Sequence, residues 1–566
     1  MKPGLRLLAS ARSICPTRTK GGRGRCAALP SEFLYDGFTG GLNSIDSPFT
    51  IADEESRDCL NVVGTLRGSI VKRNGSTQFL AATPPAVELT GITSVQISGT
   101  RYLIAFGGTK VYSIGPTGIL TDITGSATIT SGSRWCVVQA PTSIAVPGQG
   151  PVYMSNGIDP PLQWTGSGNV GAWTGTPSLP NGSFMCFHQN RIWTCGVSGS
   201  PSTVFFSDIT QSGTIGVADP SSWTATNTAQ FDAQDGYPLT GIGDVGPYLV
   251  VFKEHKSWVI TDPVTAAARQ LVHNVGCVSH RSICSTPEGT FFLTATQGVF
   301  LTNGTSASEV SYKVRPTIQA YTTGLGQHAC ASTYGNHYYL SFPWNGSTAN
   351  NRTLDYDMQT KAWWLHDITA NEFAVHEPAG SPYLYAALPG VSKGIARIGV
   401  PGVYTDLGVP YAGGPYGFSA YYLGAWQRFY AYFLRHRNPM PMVKKRIRQI
   451  YFNGSGVIVP VVFKNFNAQA GTQYPGTVGN ADQWNPDMPI RFSPDNQIFG
   501  NADTAQTYGG LTYKGIEMLW GGYAAVGDAR IYAPGIAEEW SVGFGNSTAD
   551  PFQVNAYSYA TQTRKS

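Results

Sequence analysis

The chain is 566 residues long, with 13% charged and 12% aromatic residues, 67 Gly and 37 Pro. Charge at about half its usual share, together with abundant aromatics and Gly turns, excludes a disordered chain and describes a large all-β protein whose surface is partly covered by partners. Lys2, Arg6, Arg12, Arg18, Lys20, Arg23 and Arg25 precede the first acid, Glu32, leaving −3 for the rest of a chain whose formal net charge is +4, so a nucleic-acid reader with one broad basic face is excluded.

Residues 1–30 read as a basic, flexible arm without periodicity. The arm is Arg-rich and acid-free, as organelle transit peptides are, but a disordered arm is the expectation. Residues 31–85 are expected to form an N-terminal β segment packing on the next domain. Within it ADEESRDCLNV reads as one short helix turn, and GTLRGSIVKRNGSTQF as a hairpin about Asn74-Gly75.

Residues 86–405 carry seven modules, each an aromatic or aliphatic strand followed by a Gly/Asn turn. Their anchors are Tyr102, Val152, Ile192, Leu249, Phe291, Tyr338 and Tyr383, spaced 40 to 57 residues apart. A loose period of roughly 40–50 residues with several strands per unit predicts a β-propeller. Asn-Gly at Asn156, Asn181, Asn303 and Asn345 supplies the positive φ that tight hairpins require. Runs such as YLVVF and FFL predict strands covered on both faces.

From 406 to 566 the rhythm changes, and this part is expected to be a C-terminal β-rich accessory domain. Leu423, Trp426, Phe429, Tyr430 and Phe433 fit a helical stripe and a strand equally well. KKRIRQIYFNGSGVIVPVVF reads as a hairpin on Asn453-Gly454.

Chemistry-bearing motifs are few. GIGDVG (Gly241, Gly243, Gly246) and GSGNVG (Gly166, Gly168, Gly171) match a dinucleotide fingerprint, but strand or loop follows where a helix is required, so both read as turns. GVSKG at Ser392 matches a nucleophile elbow without its α/β sheet. The nine Cys are scattered without C-x-x-C and read as buried thiols of a reducing cytoplasm. His273 and His280 form no metal pattern. Asp232 and Asp235 in DAQDG are the nearest carboxylate pair for a glycosidase, and a polar turn is the plainer reading. Arg435, Arg437, Lys444, Lys445, Arg446 and Arg448 form a basic run that reads as a protected strand edge or a contact to an acidic partner or DNA phosphate. No catalytic, cofactor or metal residue is assigned, and no apolar run reaches the 18 residues of a membrane span.

GGLNSIDSPFTIADEESRDCLNVVGTLRGSIVKRNGS resembles the opening of phage tail proteins built on a β-propeller. PVYMSNGIDPPLQW, NRIWTCG with VFFSD, DGYPLTGIGDVGPYLVVFKEHKSWVITD, GCVSHRSICSTPEGTFFLTATQGVFLTNG, TLDYDMQTKAWW and SVGFGNSTADPFQVNAYSY are similar to segments of the same group. The group comprises the tail nozzle or tail hub of short-tailed phages and related propeller-bearing minor tail proteins. The basic segment 1–30 and the aromatic region 406–450 depart from its pattern. The resemblance implies a non-enzymatic structural protein of the virion tail, made in the host cytoplasm and assembled as a homohexameric ring below portal and adaptor. It further implies contact with tail fibres or tailspikes, passage and gating of double-stranded DNA during genome ejection, no cofactor and no membrane insertion. The alternatives are a receptor-binding or baseplate minor tail protein, a propeller glycoside hydrolase using Asp232 or Asp235, and an organellar propeller with a transit segment.

Overall fold

A computed structural model describes residues 31–35, 37–47, 50–141, 150–212, 215–411, 419–424, 427–428, 445–464, 490–491, 507–508, 511–512, 527–532, 536–537, 539–546 and 549–563. The described chain is mostly β-strand, arranged largely in small antiparallel sheets, so the protein is all-β. It divides into two compact units. One comprises 75–358 with 367–403; the other comprises 1–74, 359–366 and 404–566.

In the unit holding 75–358, the anchor of each sequence module lies on the second strand of a sheet. Thr100–Gly107 and Lys110–Ile114 sit between Leu89–Ile97 and Leu120–Asp122 in the first sheet. The second sheet runs Cys136–Gln139, Val152–Ser155, Leu162–Trp164, Gly171–Ala172, and the third Phe184–His188, Arg191–Cys195, Thr203–Phe206, Thr228–Gln230. The fourth is built from Leu239–Val245, Tyr248–Lys253, Lys256–Asp262 and Ala267–His273, and the fifth from Cys284–Thr286, Gly289–Leu293, Val299–Thr302 and Ala307–Glu309. Cys330–Tyr334, His337–Phe342 and Arg352–Asp357 belong to the sixth. The seventh, Glu372–His376, Tyr383–Ala387 and Ile395–Val400, takes its fourth strand, Gly75–Gln78, from the other end of the unit's sequence.

Apolar side chains seal each sheet onto the next. Val95, Ile104 and Phe106 of the first sheet share a cluster with Val152, Met154 and Trp164 of the second. Tyr153 continues the packing to Met185 and Ile192 of the third, and Trp193 and Val204 to Ile242 and Leu249 of the fourth. Val250 and Phe252 meet Phe292 and Phe300 of the fifth. Phe291 stacks on Tyr338 of the sixth at 4.8 Å between centroids. First strands of the sixth and seventh sheets touch, and Leu89, Ile92 and Leu103 of the first cluster with Ala374, Tyr385 and Ile395 of the seventh. The succession of interfaces therefore returns to its start. A buried Trp or Phe at such a seam contributes about 3–5 kcal/mol relative to Ala.

The sheet of the other unit runs Gly41–Leu42, Glu55–Leu60, Ala420–Gly424, Glu539–Asn546, Lys445–Lys464, Phe552–Thr563, Ile70–Lys72, Val62–Gly64, with further strands paired off this path. Phe38, Tyr422, Phe452, Phe544 and Tyr557 pack edge-on and stacked in its core. Three local expectations are corrected here. The acidic stretch is not a helix turn: Glu55–Leu60 is a strand, because Cys59 and Leu60 are buried and the segment pairs with Ala420–Gly424. The hairpin turns at Thr65–Gly68, where Gly68 has φ 84°, and not at Asn74-Gly75; Gly75 begins the strand that completes the seventh sheet. Asn453-Gly454 lies inside one continuous strand, Lys445–Lys464, and marks a register shift against Phe552–Thr563. The extra residue of that bulge is Asn555 of Phe552–Thr563, because Asn453 pairs with Ala556 and Gly454 with Val554. Leu423 of the ambiguous aromatic stripe is on a strand; Trp426, Phe429, Tyr430, Phe433 and the arm 1–30 lie outside the described residues.

Candidate functional site

The first strands of the seven sheets surround a cavity of about 970 Å³ whose walls include Arg134, Cys136, His280, Arg281, Ile283 and Glu372. Two glycine-bearing strands shape it. Leu89-Thr90-Gly91-Ile92 and Leu239-Thr240-Gly241-Ile242 repeat one motif, and each carries a register shift between its Leu and its Gly, with the Thr as the extra residue. Each Thr hydroxyl donates across to the next sheet's approach, Thr90 to the Ser133 carbonyl at 3.1 Å and Thr240 to that of Cys277 at 2.6 Å. A Cβ on Gly91 would lie 2.7 Å from Glu372 Oε2, so the bare backbone admits the carboxylate.

Glu372 Oε2 accepts from Arg281 Nη1 at 2.6 Å and from the Ile92 amide at 3.1 Å. Arg281 also donates to the carbonyls of Thr90 and Trp135, at 3.1 and 3.0 Å. Burial lifts the Glu372 carboxyl above the ordinary carboxylate range, opposed by Arg281 and Arg134. The pair is thus a fixed brace between the first, second and seventh sheets.

Cys136 and His280 have the composition of a catalytic dyad, with Sγ 3.5 Å from Nε2. Their electrostatics are opposite to one. His280 Nδ1 accepts from the Ile242 amide at 3.4 Å, which places the imidazole proton on Nε2, facing the sulfur. Burial, then Arg281, pulls His280 down to about 4, while burial pushes the Cys136 thiol up to about 11. Both groups are neutral at pH 7, whereas nucleophilic cysteine chemistry needs a thiolate. Sequence reading missed this pair because 144 residues separate its members.

The sequence-derived candidates are placed as follows. Asp235 accepts from Lys253 Nζ at 2.6 Å and from Lys256 Nζ at 3.2 Å, and Asp232 pairs with Lys256. Both carboxylates are engaged by lysines. GIGDVG falls on the first strand of the fourth sheet and the turn after it: Cβ atoms on Gly241 and Gly243 would come within 2.8 and 2.5 Å of Ile283. GSGNVG is the turn before Gly171–Ala172, with φ 95° and 63° at Gly166 and Gly168. Ser392 sits at φ 62° in a turn between two strands, exposed. The seven described cysteines are free. Lys445, Arg446 and Arg448 lie on the strand Lys445–Lys464; Arg435, Arg437 and Lys444 lie outside the described residues. Among the described residues no group of three or more His, Cys, Asp or Glu is placed to hold a metal, and no helix is long and apolar enough to cross a membrane.

No family model matches the chain, and no curated protein matches it. Among solved structures it is similar to PorZ, described as an essential bacterial surface component of the type-IX secretion system of Porphyromonas gingivalis. Identity there is 13% and the TM-score 0.35, over 58% of this chain and 38% of that one, so the chain spans well under half of PorZ. It is also similar to the computationally designed Ika8 protein, at 10% identity and TM-score 0.33, over 57% of this chain and 99% of that one.

Proposed function

We propose that the protein is a structural, non-enzymatic virion component, a subunit of the nozzle or hub ring at the distal end of a phage tail. In this reading the unit built around residues 75–358 is a seven-bladed β-propeller, each small sheet a blade. The observation that carries it is the closed circuit of seven sheet interfaces, with Gly75–Gln78 completing the seventh sheet. A circuit joined in this way is a rigid block suited to bearing load in an assembly. The cavity supports a non-catalytic role, because its thiol and imidazole are neutral and its carboxylate is braced by arginine.

Six such blocks would surround a lumen below portal and adaptor, with tail fibres or tailspikes at their flanks and loops gating the exit of double-stranded DNA. A cavity of about 970 Å³ is of the size that holds a small molecule. The duplex therefore runs along the axis of the hexamer and not through the centre of one subunit. Negative-stain micrographs and mass photometry of the purified full chain test the reading. Six-fold rings at six times the 60.6 kDa chain mass are expected. A monomer or trimer that binds glycan arrays would replace the reading with a receptor-binding tail protein. Glycoside turnover abolished in Asp232→Asn or Asp235→Asn would replace it with a hydrolase.

A further inference from the structure

The arginines of the central cavity are unequally used. Arg281 spends its donors on two carbonyls and on Glu372, and that pair is neutral within itself. Arg134, on the approach to the second sheet's first strand, makes one hydrogen bond among the described residues, from Nη1 to the His328 carbonyl at 3.3 Å. A guanidinium offers five N–H donors in a planar fork. Burial depresses the Arg134 guanidinium, Arg281 depresses it further, and Cys330, Glu372 and Glu88 oppose them. The wall thus holds one positive charge with spare donors.

We propose that the cavity is a binding site for a small organic monocarboxylate, held by the Arg134 guanidinium with its apolar body in the cavity. The chemistry of the walls selects this class. Trp135, Phe184, Val278 and Ile283 offer apolar surface, and Gln327 a polar amide. Inorganic phosphate, strongly hydrated and carrying more than one charge, would leave that surface unused and would find only one underused cation. A carboxylate matches the fork with two parallel bonds, and its alkyl part removes apolar wall from water. The site is independent of the tail-nozzle reading, since it needs only the single chain.

Titration calorimetry of the full chain with hexanoate, using hexanamide as the uncharged isostere, tests the site. Hexanoate is expected to saturate one site per chain, with hexanamide at least about ten-fold weaker, the factor that one charged hydrogen-bond pair confers. Arg134→Gln should lose about ten-fold for hexanoate and nothing for hexanamide. Arg134→Lys, which keeps the charge without the fork, should fall between them. Absence of saturable binding, equal binding of acid and amide, or undiminished hexanoate binding by Arg134→Gln would overturn the proposal. If Arg134→Gln does not fold, the acid–amide comparison on the unmodified chain decides the matter alone.

Discussion

Lys253 is 1% exposed, and an ammonium buried that deeply is costly unless its three donors are met. They are met by Ser202 Oγ at 3.1 Å, the Asp232 carbonyl at 2.8 Å and Asp235 Oδ1 at 2.6 Å. A pair of aspartates that a sequence offers as acid and base is here the counter-ion set of two lysines. Burial alone would raise the Asp235 carboxyl, but the bonds from Lys253, the Tyr237 amide and Lys256 outweigh it and hold it at about 2. A carboxyl depressed by folding contributes stability that is complete above its unfolded value, near 4, and is lost as pH falls through 4 toward 2. Asp235→Asn should therefore lower the urea midpoint at pH 7 and flatten its decline between pH 4 and pH 2. Parallel pH profiles for the variant and the unmodified chain would show that the ion pair contributes nothing on folding.

At the scale of the strand, what a sequence displays depends on which face of the sheet the residues serve. The second strand of each sheet is largely buried on both faces, and its apolar run, from Tyr102 through Tyr383, made all seven sheets legible. First strands crowd around the cavity, and in several of them Gly, Thr, Ser or Cys interrupt the apolar residues, so LTGIGDV resembles a phosphate loop more than a strand. The carboxylate brace and the thiol–imidazole contact each join one residue of these strands, Glu372 or Cys136, to the turn His280–Ser282, across 91 and 144 residues and beyond any local pattern. Asn-Gly marked a turn at Asn156 and Asn303 but lies inside the strand Lys445–Lys464 at Asn453, where the pairing runs on through it and the bulged residue, Asn555, belongs to the partner strand. Gly243→Ala separates packing from cofactor chemistry. Its Cβ would lie 2.5 Å from Ile283 Cγ2, so the substitution should cost about 1–3 kcal/mol in thermal or urea unfolding. The double variant Gly243→Ala/Ile283→Ala, which removes the opposing methyl, should be less destabilised than the sum of the two single variants. Strict additivity would mean that the close approach to Ile283 does not explain the glycine.

The whole molecule poses a question of ends. An open row of sheets leaves two apolar end faces, and each must be covered or lost to water. In the unit around 75–358 the first and seventh sheets cover each other through Leu89, Ile92, Leu103, Tyr385 and Ile395, and the strand Gly75–Gln78 binds the seventh sheet to the segment that leads into the first. Ser76 lies opposite Ile398 and Thr77 opposite Arg397 in an antiparallel ladder, where adjacent residues present their amides alternately to the partner strand. Replacing both by proline removes whichever amide bonds Ile395–Val400, at a cost of roughly 3 kcal/mol or more. If the closure locks the circuit, Ser76→Pro/Thr77→Pro should lower the urea midpoint of the whole unit, and amide exchange should accelerate together in the first and seventh sheets. The seam between them is then the first to part, with the intervening sheets following in one cooperative transition. Faster exchange confined to Ile395–Val400, with the midpoint unchanged, would instead mean that the seven sheets hold together by their apolar seams alone and that the terminal strand is dispensable to the circuit.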